Sequence, residues 1–191
     1  MTDQKNTTEN SDCIQQHGDL LVPCDREDYY FRFIPDFEKN NSYFDLKTYG
    51  VLFSTILTYS AMETRTSQFL ARWDLFPSAF NLLAILYRTS NCGMPLSKLS
   101  NLLAVSRANV TGLVDCLESR KLVERTSDPN DRRVRLAVLT SEGSELIQEI
   151  MPLYYARQKG LADCLTDQEQ ECMVHALTKF RRTLLAAEEG Q

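Results

Sequence analysis

The feature that most limits what this chain can fold into lies between Leu96 and Leu139. Two short helical segments, Leu96 to Leu103 and Ser106 to Arg120, are separated by only Ala104 and Val105, the spacing of a helix-turn-helix. In the second segment Val110, Val114 and Leu117 recur at i, i+4 and i+7 and make one apolar face, and Ser106 stands where an N-cap belongs. The other face carries Arg107, Asn109, Thr111 and Gly112, short or hydrogen-bonding residues that suit entry into a DNA major groove. Leu122 to Thr126 and Val134 to Leu139 then alternate as half-buried strands do. Between them Ser127 to Arg133 is turn chemistry ending in two arginines. Helix, turn, helix and a basic-tipped hairpin is the order of a winged helix, so the expected fold is mainly α with a small β-hairpin wing.

Long helices are expected on both sides. Leu52, Ile56, Tyr59, Thr66, Leu70 and Trp73 follow a three-four spacing, with Glu63 in the one gap, which predicts a helix of roughly 25 residues from about Asp45. Pro77 opens a second helical run, Ser78 to Tyr87, and Cys92 to Pro95 reads as a turn. Glu145 to Leu161 is helical again, with Pro152 expected to bend it. Thr166 and Glu169 form a capping box that opens a last helix, Gln168 to about Ala187. The expected organisation is an arm (residues 1–44), a dimerisation helix (45–76), the winged helix-turn-helix (77–140) and C-terminal dimerisation helices (141–191). The first 20 or so residues of the arm are polar and without period, hence expected to be disordered. Its aromatic stretch, residues 29–44, is expected to dock on the body or across a dimer.

The formal net charge of −5 hides a division. Residues 95–140 hold eight Lys and Arg against five Asp and Glu, whereas residues 1–50 hold five against ten and residues 141–191 five against nine. A basic block between acidic flanks attracts a polyanion through its local field. The longest uncharged stretch, Thr48 to Met62, is too short and polar to span a bilayer, and Met1 to Cys24 lacks the basic and apolar regions of a secretory leader. Cys13, Cys24, Cys92, Cys116, Cys164 and Cys172 are scattered with no C-x-x-C pair, and His17 and His175 stand far apart. The expectation is a cytoplasmic protein with reduced thiols, no structural metal and no cofactor. No G-x-S-x-G, glycine-rich phosphate loop or His beside a Cys or Ser is present, so no enzyme is expected.

With these residues in view, the chain resembles the MarR family of transcriptional regulators over about residues 45–187. The resemblance rests on Asp131-Arg132-Arg133 followed by Leu139-Thr140 and Gly143, on Val105-Ser106 through Val114-Asp115-x-Leu117-Glu118, and on Lys121-Leu122-Val123-Glu124-Arg125. It implies a homodimeric repressor that binds a pseudo-palindromic double-stranded operator and is released by a small ligand or by thiol oxidation. By position, Arg133 would be the wing-tip arginine that enters the minor groove, and Asp131 would hold the wing. Ser106, Arg107, Ala108, Asn109, Thr111 and Gly112 lie where the family's recognition helix meets bases and phosphates. Ser97 and Lys98 are candidates for phosphate contacts. Family members often carry a longer donor at the position of Gly112, so base reading here would rest on Arg107 and Asn109. Arginine suits a narrow, negative groove, and bidentate contacts of Arg107 with guanine and Asn109 with adenine would each discriminate by roughly 1–3 kcal/mol. Arg132 beside it, with Lys98, Arg120, Lys121 and Arg135, can equally be solvated surface charge.

The family's effector pockets lie between dimer helices and winged domain, which places Arg65, Phe69, Trp73, Phe76 and Phe80 near a cavity. An aromatic wall with one arginine would suit an aromatic carboxylate, although aromatics at helical spacing also build ordinary core. For a thiol switch, Cys116 is expected to point inward and be inert. Cys13 and Cys24 sit in acidic surroundings that disfavour a thiolate, and Cys24 lies upstream of the position used by the family's peroxide sensors. A winged-helix module that binds protein rather than DNA is the remaining alternative.

Overall fold

The computed structural model describes residues 37–89 and 93–188. The expectations for the start of the arm, including Cys13, His17 and Cys24, and for Cys92 fall outside the described residues. Two compact units divide between Thr64 and Arg65.

In the first unit, helix α1 (Leu46–Leu70) begins one residue after Asp45. A carboxylate oxygen of Asp45 accepts the backbone N–H of Thr48 at 2.8 Å and the Thr48 hydroxyl. The hydroxyl bond, with the backbone bond behind it, holds Asp45 below the ordinary carboxylate range. The described part of the aromatic stretch packs onto the opening turns of this helix. Phe37 meets Phe44 edge-on with centroids 5.3 Å apart, Phe44 meets Tyr49 at 5.1 Å, and Tyr49 stacks on Phe53 at 5.6 Å. Further along α1, Val51, Leu52, Ile56, Tyr59 and Met62 remain exposed.

In the second unit, the last turn of α1 buries Phe69 and Leu70, and a 3-10 turn, Ala71–Trp73, ends it. Then come α2 (Pro77–Arg88), β1 (Met94–Pro95), α3 (Leu96–Leu103), α4 (Arg107–Ser119), β2 (Val123–Ser127), β3 (Arg135–Leu139), α5 (Ser141–Ala162) and α6 (Asp167–Glu188). Pro77 occupies the first turn of α2, where its missing N–H costs nothing. Leu82, Leu83, Leu99, Val110, Val114, Leu117, Ile147 and Ile150 are fully buried in one core. At roughly 1.5–3 kcal/mol each, these side chains fix α2, α3, α4 and α5 against one another.

Three expectations are corrected here. Met94 and Pro95 are not only turn: they pair antiparallel with Ala137 and Leu136, so the sheet has three strands in the order β1-β3-β2. Two residues, one of them proline, carry no readable alternation, and proline is tolerated at an edge because it has no N–H to place in the ladder. The second correction is α5, which starts at Ser141 because Thr140 caps it, its hydroxyl oxygen accepting the Gly143 N–H at 3.0 Å. The helix runs on through Pro152. The third is the start of each main strand, one residue later than read from the sequence. At the base of the sheet Thr140 donates its N–H to the Leu122 carbonyl at 3.2 Å and its hydroxyl to the Lys121 carbonyl at 2.7 Å. The capping box of α6 forms as expected: Glu169 accepts the Thr166 N–H at 2.8 Å, and the Thr166 hydroxyl accepts the Glu169 N–H at 3.4 Å.

Candidate nucleic-acid interface

The turn of the helix-turn-helix is made by Ala104, whose backbone is left-handed (φ 52°) and stops α3. Ser106 follows in an extended conformation, and its hydroxyl oxygen accepts the Asn109 N–H at 3.2 Å, satisfying one open donor of α4. With Val110, Leu113, Val114 and Leu117 buried beneath, Arg107, Ala108, Asn109, Thr111 and Gly112 are all exposed. The Thr111 hydroxyl donates to the Arg107 carbonyl at 3.0 Å, which leaves its lone pairs free to accept. Ser97 and Lys98 are exposed at the start of α3. A Cβ on Gly112 would meet nothing within 4 Å. Gly112→Ala is therefore expected to stabilise the chain by about 0.5–1 kcal/mol, a helix-interior glycine being costly. Chemical denaturation of the two proteins would check it; a loss of stability would mean that the missing side chain is needed for the fold.

The wing tip is a small network of carboxylate bonds. Asp128 accepts the N–H of Asn130 at 2.7 Å and of Asp131 at 3.3 Å, Asp131 accepts the N–H of Arg133 at 3.0 Å, and Val134 N–H donates to the Asp131 carbonyl at 2.9 Å. Asp131 and Asp128 thus shape the turn, while Arg132 and Arg133 are left exposed at its end. Asp128 was not singled out in the sequence, although Asp two residues before a turn N–H is a common local bond. Arg135 donates to the Ser127 hydroxyl at 3.1 Å across the hairpin.

Two further arginines hold the reading helix rather than face solvent. Arg120, expected as surface charge, donates to the Asp74 carbonyl at 2.7 Å and the Trp73 carbonyl at 2.9 Å. Sequence could not find this, because the acceptors are main-chain oxygens 46 and 47 positions away. Arg125, in mid-β2, pairs with Asp115 at 2.5 Å and Glu118 at 2.6 Å and donates to the Thr111 carbonyl at 3.1 Å. Partial burial disfavours its charge, but the two carboxylates outweigh that and hold its pKa above the ordinary arginine value.

Among the described residues, Phe76 and Phe80 of the expected effector set line separate hollows. Arg65 is exposed. Phe69 is buried against Trp73 and Tyr154, at 5.3 and 6.1 Å, and its ring is covered by Arg72 at 4.7 Å and Arg157 at 5.6 Å. Trp73 donates its indole N–H to Glu149 at 2.9 Å. Phe76 lies elsewhere, lining a hollow of about 370 Å³ beside Ala108, Asn109 and Gly112. Phe80 lines a separate cavity of about 380 Å³ with Ile85, Arg88, Leu103, Tyr154 and Tyr155. There Arg88 donates to the Tyr155 hydroxyl and lies 6.0 Å from the ring. Helix spacing in the sequence does not point to Arg88 and Tyr155, which meet through tertiary packing across 67 positions.

Cys116 is exposed, not inward. The buried stripe of α4 is Val110, Leu113, Val114 and Leu117, and position 116 falls about 200° around the helix from 114. Cys164 and Cys172 are also exposed. Among the described residues no group of three or more His, Cys, Asp or Glu could hold a metal ion, and no single helix is long and apolar enough to cross a membrane.

Residues 75–134, which hold the helix-turn-helix, β2 and the wing tip, match the family model described as MarR family. The transcriptional regulator PapX of Escherichia coli is 32% identical over 110 residues, covering 58% of this chain and 67% of PapX. The chain belongs to the MarR family. As a member it is a DNA-binding transcriptional regulator with a winged helix-turn-helix. Among solved MarR-like folds, Staphylococcus aureus MepR in complex with DNA is similar at 26% identity and a TM-score of 0.64, over 71% of this chain and 97% of MepR. Bordetella bronchiseptica BpsR, whose DNA binding is regulated by 6-hydroxynicotinic acid, is similar at 26% identity and a TM-score of 0.60, over 69% of this chain and 91% of BpsR.

Proposed function

We propose that this MarR-family regulator is a repressor, acting in the cytoplasm as a homodimer on a pseudo-palindromic operator and released by a small anionic aromatic ligand. The observation that carries the DNA-reading assignment is the pairing of an exposed polar helix face with an exposed basic wing tip. Arg107 and Asn109 read bases, with Ala108, Thr111 and Gly112 allowing close approach. Ser97, Lys98 and Ser106 meet phosphates. Arg133 enters the minor groove, with Arg132 beside it and Asp131 holding the turn. Residues 77–140 form the reading domain, and residues 45–76 and 141–191 the dimerisation segments. The exposed Leu52, Ile56 and Tyr59 on α1, and Val174, Leu184 and Leu185 on α6, are the apolar side chains a second copy would cover.

The ligand site is the cavity at Phe80, Arg88, Tyr154 and Tyr155, in place of the set around Arg65. Its arginine fork suits a carboxylate and its aromatic walls suit a ring. The likeness to BpsR supports an aromatic acid as the class.

The test is an anisotropy titration with duplexes enriched by the wild-type chain from a randomised library. Binding should weaken steeply between low and physiological salt, because phosphate contacts release counterions. Adding benzoate or nicotinate derivatives should release the DNA from wild type, while Arg88→Ala should bind DNA normally and resist release. A wild type that enriches no duplex, or whose affinity is indifferent to salt, would point instead to a protein-binding module.

A further inference from the structure

We propose that Arg125 is a positioning residue that locks the wing to the recognition helix, so that Arg133 and α4 read DNA as one rigid head. This rests on the DNA-reading function proposed above and deepens it.

The geometry is specific to that task. Thr111, Asp115 and Glu118 stand at i, i+4 and i+7 on α4, one stripe of the helix. Arg125 reaches all three: Nη1 bonds Asp115 at 2.5 Å and Glu118 at 2.6 Å, and Nη2 bonds the Thr111 carbonyl at 3.1 Å. Its backbone N–H adds a bond to the second Glu118 oxygen at 3.1 Å. The fork therefore spans two turns of the reading helix from the middle of a wing strand. With three groups already held, its guanidinium is committed to the protein rather than offered to a phosphate. Lysine could supply the charge but not the fork.

Arg125 also faces Ala137 across the ladder, and Ala137 is paired in turn with Met94, so the latch sits where all three strands are tied together. From there β2 runs to Ser127 and into the turn that carries Arg133. A hairpin beyond its sheet is a lever, since a small change of tilt at its base displaces the tip. Two contacts on one rigid body bind as if the second were intramolecular, an advantage lost when the link between them loosens. Asp115 and Glu118 would otherwise be two unbalanced carboxylates on the helix that meets DNA. Arg125 brings a cation to them.

The test measures the loss of affinity caused by Arg133→Ala in the wild-type, Arg125→Gln and Arg125→Lys backgrounds, all full-length, against duplexes enriched by wild type. Positions without shared partners behave additively, so a purely structural Arg125 would leave the Arg133→Ala loss unchanged. A positioning Arg125 makes that loss shrink, from about tenfold in wild type to about threefold or less in both backgrounds. Binding to unrelated duplex should fall in Arg125→Gln, which loses a charge, and hold in Arg125→Lys. If Arg125→Gln melts below the assay temperature, Arg125→Lys and Glu118→Gln supply the backgrounds. Equal Arg133→Ala losses in every background overturn the latch alone. A wild type that enriches no duplex overturns the DNA-reading function and, with it, this role.

Discussion

Gly143→Ala should cost about 3 kcal/mol of stability, the upper range for forcing an atom into a filled space. A Cβ built there would stand 2.1 Å from the Leu122 carbonyl oxygen and 2.8 Å from Leu139 Cδ1. The carbonyl is backbone and cannot swing aside, since it also accepts the Thr140 N–H. The clash must be relieved by lifting the first turn of α5 away from the sheet. That strains the Thr140 cap and its bond to Lys121 together. For a chain of this size the melting temperature should fall by roughly 6–12 °C. Gly160→Ala is the control: it lies in the same helix, but its Cβ would meet nothing within 4 Å, so it should be neutral or stabilising. Calorimetry of both variants decides the matter, and equal melting would mean that α5 starts differently in solution.

The second large effect is on binding. Arg133→Ala should lower operator affinity by about tenfold or more, and the slope of log affinity against log salt should become shallower by about one. Its backbone N–H is held by Asp131, while among the described residues no hydrogen bond or ion pair ties down its guanidinium. The residue is anchored at its root and free at its tip, as a groove-inserting side chain needs to be. Arg132→Ala should cost about threefold or less, because its charge acts only as part of the general field. Folding should be unaffected, so the comparison needs only titrations at two salt concentrations. Equal effects of the two substitutions would mean that the wing contributes charge rather than a specific insertion.

The winged helix was legible from the sequence because its parts are local. The Val110–Val114–Leu117 stripe, the Ser106 cap and the Thr166–Glu169 box each declare themselves within one or two helical turns, and the structure forms all three. Contacts made by distant residues were not legible. Arg120 finds carbonyls at the 3-10 turn after α1, Arg88 finds Tyr155 across 67 positions, and β1 finds β3, none with a pattern in its neighbourhood to announce it. The packing around the aromatics Phe69 and Trp73 was hidden for a related reason. Their spacing is real, but Arg72 and Arg157 of the chain itself cover the Phe69 ring, and Arg72 the Trp73 ring. The inward reading of Cys116 failed through a single step of helical phase.

Three acceptors that hold the recognition helix, the carbonyls of Trp73, Asp74 and Thr111, belong to the main chain. Changing a side chain does not delete a carbonyl. Thr111 is itself one of the exposed residues on the reading face, yet whatever replaces it still presents the oxygen that Arg125 grips. The mount of the helix is thus separated from the letters written on it. On the proposed reading of bases by residues 107, 109, 111 and 112, substitution there would change the preferred operator without dismantling the frame that aims them, which would leave this surface open to drift in specificity at little cost in fold.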